Sequence, residues 1–205
     1  MKLYLSSYKL GNDLDKLKEL FPKNKKTAYI SNALDFSEDL ERRKKGEEKE
    51  IEELTKLGLD VELLDLRNYF GNKEELHKKI IEFGVIWVRG GNVFLLRQAM
   101  KLSGFDEILL EINKNPEILY GGYSAGAIII GPTLKGIDLV DDSTINIYKD
   151  TELIFDGLNI INYVLVPHYD SNHPESEKIN EVINYLIKNK ILFIALRDGE
   201  VIIKK

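Results

Sequence analysis

The chain contains no cysteine among its 205 residues. This absence excludes disulfide bonds, zinc sites built on thiolates and a cysteine nucleophile. A protein without cysteine is compatible with a reducing compartment, and we expect a cytoplasmic location.

Long apolar runs and an excess of basic residues are also missing. No segment approaches the ~20 apolar residues that a membrane-spanning helix needs. Residues 1–7 have neither the apolar core nor the small-residue cleavage site of a signal peptide. The 34 Asp and Glu residues outnumber the 29 Lys and Arg residues, which gives a net charge of −5. We therefore expect no membrane insertion and no nucleic-acid partner.

The composition that remains is that of a globular protein, with 43% hydrophobic and 31% charged residues. Apolar segments rich in β-branched and aromatic residues alternate with charged amphipathic segments. Strands are predicted at 2–7, 27–31, 60–66, 85–89, 117–121 and 164–167, and a closing hairpin at 192–196 and 201–204 around the Asp-Gly of residues 198–199. Helices are predicted at 13–20, 37–57, 73–83, 93–102, 105–113 and 174–188. This alternation predicts an α/β fold, with three layers and a doubly wound, mostly parallel sheet.

One motif stands out, the Gly-Tyr-Ser-Ala-Gly run of Gly122–Gly126. An apolar, strand-like segment precedes it and an apolar, helix-forming segment follows it. This context predicts a nucleophile elbow, in which Ser124 occupies a sharp strand-to-helix turn and exposes its hydroxyl group. The free N–H groups at the start of the helix would face developing negative charge.

A serine hydroxyl group needs a base, and the chain offers three histidines, His77, His168 and His173. His77 lies in a lysine-rich helical segment and His173 precedes a proline near the start of the last predicted helix. His168 follows an apolar strand, and the carboxyl ends of parallel strands open onto the ligand crevice. His168 is therefore the predicted base.

A carboxylate usually orients the catalytic imidazole. The loop that follows the elbow helix carries Asp138 and Asp141, and this loop could turn back over the site. Either aspartate is a candidate for the third member.

A second glycine-rich loop, Gly90-Gly91-Asn92, lies between a predicted strand and a predicted helix. Glycines allow the backbone to approach a ligand and to offer N–H donors. We predict that Gly91 and Ala125 supply the oxyanion hole and that Gly90 and Asn92 contact substrate, although Asn92 could also cap the following helix. No phosphate-binding glycine motif is present, and no cofactor or metal is predicted.

In order along the chain, Gly90-Gly91-Asn92, Gly122–Ala127, Gly131-Pro-Thr133 and Val166-Pro-His-Tyr169 resemble the aspartyl dipeptidase (dipeptidase E) family of serine peptidases. A length of 205 residues predicts one domain, residues 1–205. The resemblance covers nearly the whole chain and implies that this domain is catalytic. It implies a fold like that of class I glutamine amidotransferases, a metal-free serine mechanism and small peptides as substrates. It assigns the nucleophile to Ser124, the base to His168, the oxyanion donors to Gly91 and Ala125, and the third member to Asp141 or Asp138. A homodimer is compatible with the sequence.

The chain departs from members that cleave aspartyl peptides. Those members resemble one another in an arginine soon after the histidine, whereas residues 171–179 contain only Lys178 as a cation. A lysine offers a point charge instead of a bidentate fork, which puts a strict preference for aspartyl peptides in doubt. Asp-X dipeptides stay one candidate among the small peptides that the resemblance implies. Two alternatives stay open at this point, an esterase of the α/β-hydrolase type and a silent ligand-binding protein of the same fold.

Overall fold

A six-stranded sheet forms the middle of the protein in the computed structural model, which describes residues 1–149 and 151–205. Its strand order is β3-β2-β4-β5-β1-β8, and a second sheet pairs β6 with β7. The strands are β1 Lys2–Ser6, β2 Lys26–Ile30, β3 Asp60–Leu63, β4 Val85–Val88, β5 Leu119–Tyr123, β6 Val164–Val166, β7 Phe193–Ala195 and β8 Val201–Lys204. Strands β1 to β5 pair in parallel, and only β8 runs antiparallel, against β1.

Helices cover both faces of this sheet. They are α1 Leu14–Leu20, α2 Leu40–Lys56, α3 Lys73–Ile80, α4 Val93–Ser103, α5 Phe105–Ile112, α6 Ala125–Ile128 and α7 Ser176–Lys188. Apolar side chains of α1 and α2 join one core cluster, and those of α3 to α7 join the other. Within the described ranges, no helix combines the length and the apolar character that crossing a bilayer requires. The predicted three-layer α/β architecture is confirmed.

Alternation along the strands explains the two cores. In β1, Leu3 and Leu5 enter the larger cluster, while Tyr4 between them enters the smaller one. Such period-two placement on both faces requires strands that are apolar throughout. The only tryptophan, Trp87 of β4, needs a special neighbour, because a Cβ atom on Gly121 would lie 2.3 Å from its ring. Gly121 thus makes room for the indole beside β5.

The predicted closing hairpin is wrong. Strand β7 pairs in parallel with β6, whereas β8 pairs antiparallel with β1. The Asp-Gly signal does mark a turn, but this turn connects two sheets instead of two neighbouring strands. β8 instead covers the β1 edge of the main sheet, where Ile202 packs against one core cluster and Ile203 against the other. As a consequence, the residues after β7 lie beside those after β6.

Candidate active site

Ser124 lies at the turn between β5 and α6, as the motif predicts. Its backbone has φ 46° and ψ −118°, a region that side chains rarely adopt outside functional sites. The Ser124 N–H donates to the Ser6 carbonyl at 3.3 Å, and the Ser124 carbonyl accepts from Ala127 and Ile128 at 2.8 Å. These bonds hold the strained turn between the neighbouring strand and the first turn of the helix.

The two glycines of the motif are required by the adjacent strand β4. A Cβ atom on Gly126 would lie 2.2 Å from the Val88 carbonyl oxygen, and one on Gly122 would lie 2.9 Å from the same atom. Real Cβ atoms do not approach backbone that closely. The Gly-x-Ser-x-Gly spacing is therefore required because α6 packs directly against the end of β4.

The Gly90-Gly91 loop lies against the elbow. A Cβ atom on Gly90 would be 3.0 Å from the Ser124 Cβ. Gly91 has a positive φ of +145°, and a Cβ atom on it would lie 2.5 Å from the Ala33 carbonyl oxygen. Among the residues described, neither the Gly91 N–H nor the Ala125 N–H donates a hydrogen bond within the protein. Both predicted oxyanion donors thus remain available to a ligand.

Asn92 is occupied by structural contacts, which disfavours the predicted contact with substrate. Its side chain accepts from the Leu95 N–H at 2.9 Å as the N-cap of α4, and donates to the Asp142 carbonyl at 2.8 Å. The residue is 5% exposed and does not line the cavity beside Ser124. Gly90, by contrast, does line it.

His168 follows β6 and is 1% exposed. Its backbone also lies in the left-handed region, at φ 61°, and its N–H donates to the Ser7 hydroxyl oxygen at 2.8 Å. Because β6 ends at the same side of the molecule as β5, His168 and Ser124 line one cavity of about 220 Å³. The sequence-based prediction that these two side chains share a site agrees with this placement.

The carboxylate beside His168 belongs to Asp198, which the sequence analysis did not select. Its Oδ1 lies 2.7 Å from the His168 Nδ1 and accepts from the Ser7 hydroxyl group at 2.8 Å. The Asp198 N–H in turn donates to the Ser171 hydroxyl oxygen at 2.8 Å. This arrangement places a proton on Nδ1 in the neutral ring and leaves Nε2 free to act as a base.

Neither Asp141 nor Asp138 contacts the imidazole, which corrects the predicted third member. Asp141 accepts from the Val93 N–H at 2.7 Å at the start of α4, and Asp138 accepts from the Gly136 N–H at 2.9 Å within its own turn. Burial of the Asp141 carboxyl group and the nearby charge of Glu175 raise its pKa to about 7, against the opposing effect of the hydrogen bond from the Val93 N–H. The loop after the elbow therefore caps a helix and does not orient the histidine.

The position of Asp198 just after a strand is a sequence signal that could have identified it as the partner of His168. Asp198 follows β7, and β7 pairs in parallel with the strand that precedes His168. Residues after adjacent parallel strands meet at one edge, but only when the two strands are recognised as neighbours. The Asp-Gly pair suggested a hairpin instead.

The lining of the cavity also contains a largely buried ion pair. Arg89 lies 3.1 Å from Glu50 through Nη2, and the Tyr123 hydroxyl group donates to Glu50 at 2.8 Å. Arg89 also donates from Nε to the Tyr123 hydroxyl oxygen at 3.2 Å. The Arg89 charge is therefore already neutralised, and the pair ties the residues just before Gly90 and Ser124 to helix α2.

One group of side chains at the cavity has the composition of a metal site. The ligand atoms of His168, His173 and Glu175 lie within 4.8 Å of one another. The two imidazoles, however, stack with 3.6 Å between centroids and 8° between planes. One ion cannot lie in the planes of two parallel rings, so shared coordination would require one ring to rotate. As arranged, this group suits aromatic stacking better than metal binding.

The comparison with protein families agrees with the geometry. Residues 6–205 match the model of peptidase family S51, the family of dipeptidase E. The chain belongs to peptidase family S51. It is therefore a peptidase, and the resemblance drawn from its glycine-rich loops and its Val166-Pro-His-Tyr169 segment is confirmed.

Curated relatives of this S51 peptidase are themselves described as uncharacterized peptidases. One from Listeria monocytogenes is 33% identical over 161 residues, and the match covers 74% of each chain. One from Pasteurella multocida is 30% identical over 130 residues, covering 62% of this chain and 58% of the relative.

Solved structures show the same architecture. A Listeria monocytogenes EGD-e protein described as a peptidase E candidate superposes with a TM-score of 0.73 at 27% identity, covering 100% of this chain and 98% of the other. A peptidase from an acI-B1 actinobacterium gives a TM-score of 0.69 at 16% identity, covering 100% and 83%. The second likeness is one of fold alone.

Proposed function

We propose that this S51 peptidase hydrolyses small peptides by a serine mechanism that uses Ser124, His168 and Asp198. The observation that carries the proposal is the contact of His168 Nδ1 with Asp198 at 2.7 Å, on a ring that lines the same cavity as the strained Ser124 turn. A serine on an elbow, an imidazole and a carboxylate hydrogen-bonded to that imidazole together make an activated nucleophile.

In the proposed mechanism, the Ser124 hydroxyl oxygen attacks the peptide carbonyl carbon while His168 Nε2 takes its proton. The imidazolium then gives this proton to the leaving amine, which leaves an acyl group on Ser124. Water attacks the ester in the second half, with the same histidine as base. Asp198 stays ionised throughout and stabilises the imidazolium.

The tetrahedral oxyanion would be bound by the N–H groups of Gly91 and Ala125. Both are free of intramolecular acceptors within residues 1–149 and 151–205. Gly91 lines the same cavity as Ser124, and Ala125 follows Ser124 directly. Preformed backbone donors of this kind are typically worth about 3 kcal/mol of transition-state stabilisation each.

The order of the three residues separates this site from that of an α/β-hydrolase. Such enzymes place the acid between serine and histidine and take the second oxyanion donor from a loop near their N-terminus. Here Asp198 follows His168, and Gly91 lies between β4 and α4. An esterase of that type is therefore disfavoured.

The charges of the cavity bear on the substrate. Arg89 is paired with Glu50, while the lining residue Glu175 has no ion-pair partner among the described residues. Lys178 is exposed and does not line the cavity. Within residues 1–149 and 151–205, the guanidinium that lines this cavity, Arg89, already has an ion-pair partner in Glu50, although its Nη1 makes no hydrogen bond. We therefore propose small peptides in general and not aspartyl peptides specifically.

The test is a dipeptide library followed by mass spectrometry, together with labelling by a fluorophosphonate. Wild type is expected to cleave dipeptides and to be labelled on Ser124, whereas Ser124→Ala does neither. Ser143→Ala, which changes a serine outside the cavity, serves as the matched control. Cleavage by Ser124→Ala at the wild-type rate would refute the serine mechanism, and an unlabelled wild type would favour the silent ligand-binding alternative.

A further inference from the structure

His173 lies directly against the proposed base. Its ring is parallel to that of His168, with 3.6 Å between centroids. Tyr8 meets both imidazoles edge-on, at 6.0 Å from His168 and 5.8 Å from His173. The three rings form a small aromatic cluster beside the cavity that contains Ser124.

The main chain determines the orientation of the His173 ring. The Glu175 N–H donates to the His173 Nδ1 at 3.3 Å, which places the proton of the neutral ring on Nε2. Pro174 follows directly and restricts the backbone of His173 to extended conformations. The plane of the His173 ring is therefore fixed, and the ring can serve as a platform for a neighbouring side chain.

His168 needs such a platform. The contact with Asp198 holds one ring atom, Nδ1, and a single hydrogen bond still allows the ring to rock about its χ2 torsion, which is broad for histidine. A flat neighbour in van der Waals contact with one face removes this freedom. The plane in which the free Nε2 lies is then fixed beside the cavity that Ser124 also lines.

Charge favours a neutral His173 while His168 carries the transferred proton. Burial lowers the pKa of His173, the proximity of His168 lowers it further, and the carboxylates of Glu175 and Asp198 oppose both effects. Other ionisable groups lining this cavity include Tyr8, Lys9 and the Glu50–Arg89 pair. An uncharged π face next to an imidazolium is favourable, since the ring quadrupole attracts the cation.

We propose that His173 is a positioning residue of this peptidase, which stacks on His168 and holds the plane of the catalytic imidazole. It acts through His168 and takes no proton in the reaction. This inference rests on the proposed function, because it assigns His173 a role in the same serine mechanism.

The decisive comparison is between His173→Ala, which removes the platform, and His173→Phe, which keeps a flat ring without ionisable nitrogens. His173→Ala should lower kcat about tenfold with KM changed less than about twofold, since small misplacements of a catalytic group cost this much or more. His173→Phe should restore at least a third of the wild-type kcat. Asn172→Ala, an exposed neighbour in the same loop, controls for general disturbance and should behave as wild type.

A second measurement does not depend on turnover. The proton between His168 Nδ1 and Asp198 should give a low-field NMR resonance that is sharp in wild type and His173→Phe and broadened in His173→Ala. If wild type were inactive and unlabelled by fluorophosphonate, the proposed function would fail, whereas this resonance would still test the stacking. A wild-type kcat in His173→Ala, an equal loss in His173→Phe, or an effect on KM alone would overturn the inference.

Discussion

The two halves of the candidate site are built in opposite ways. The elbow region, residues 88–92 and 122–126, is formed by two adjacent strands of the main sheet and the turns that follow them. The histidine region, comprising Ser7, His168, His173 and Asp198, joins segments separated by up to 191 residues. The first half is encoded in short motifs, and the second exists only because distant strands end side by side.

The residues of the two halves are constrained by different contacts. In the elbow region, glycines are required because neighbouring atoms, most of them backbone, lie only 2 to 3 Å from where a Cβ atom would be, and this requirement leaves a recognisable spacing. In the histidine region, Ser7 bonds to both His168 and Asp198, and no spacing along the chain announces that contact. The comparison can be tested by removing members of each half in turn.

The largest effect is expected for the imidazole. His168→Ala should lower kcat about 10⁵-fold, because loss of the base in a serine triad removes nearly all catalysis by the nucleophile. The measurement is dipeptide hydrolysis at saturating substrate, with the melting temperature recorded to verify folding. His77→Ala changes a histidine whose side chain is 42% exposed and should retain wild-type activity; an equal loss in both variants would count against the site.

The next effect concerns the carboxylate. Asp198→Asn should lower kcat about 10³- to 10⁴-fold, since an amide at this position favours the wrong tautomer of the imidazole. Asp138→Asn provides the matched control, because Asp138 is exposed and bonds only within its own turn. Steady-state kinetics of both proteins decide the matter, and a stronger loss in Asp138→Asn would restore the loop after the elbow as the source of the third member.

A smaller loss is expected at the proposed oxyanion loop. Gly91→Ala places a Cβ atom 2.5 Å from the Ala33 carbonyl oxygen, which displaces the N–H donor and should lower kcat about 10²- to 10³-fold. Gly71→Ala is the control, because Gly71 also has a positive φ, +72°, but no atom within 4 Å of the added carbon. Both variants should lose some stability, and only Gly91→Ala should lose activity; equal kinetics would exclude Gly91 as a donor.

The smallest effect on kcat is expected at Asp141, which we expect to influence stability and not catalysis. Burial raises its pKa to about 7 in the folded state, above the value of about 4 for an unfolded chain. The folded protein then binds more protons between these values, so its free energy of unfolding falls as pH rises from 4 to 7 and levels off above. Asp141→Asn removes the charge and should be up to about 4 kcal/mol more stable than wild type at pH 8, with little difference at pH 4.

Urea unfolding of wild type and Asp141→Asn at pH 4 and pH 8 measures this effect. Asp138→Asn again serves as the control, since its carboxyl group is exposed. The gain at pH 8 should appear only in Asp141→Asn. A pH-independent difference would show that the carboxyl group at the start of α4 carries no shifted proton.

Most of the fold follows from sequence patterns, since parallel strands buried on both faces are apolar throughout and the helices between them are amphipathic. The elbow at Ser124 and the Gly-Gly loop are likewise local. Asp198 was missed because its assignment depends on β7 pairing with β6, a long-range contact. For Asn92, the predicted helix cap is present and the predicted contact with substrate is disfavoured. A cap is a local structure, whereas a contact with substrate depends on which side chain reaches the cavity.

The amino-acid sequence by itself determined the α/β architecture, the strained serine turn and membership in a peptidase family, because each depends on periodicity or on glycines required within a few residues. Only the tertiary structure decided which carboxylate meets His168 and which ring lies against it. The reason is physical: strand pairing brings the ends of β6 and β7 together, and the residues that follow these strands come into contact across distances along the chain that no local pattern encodes.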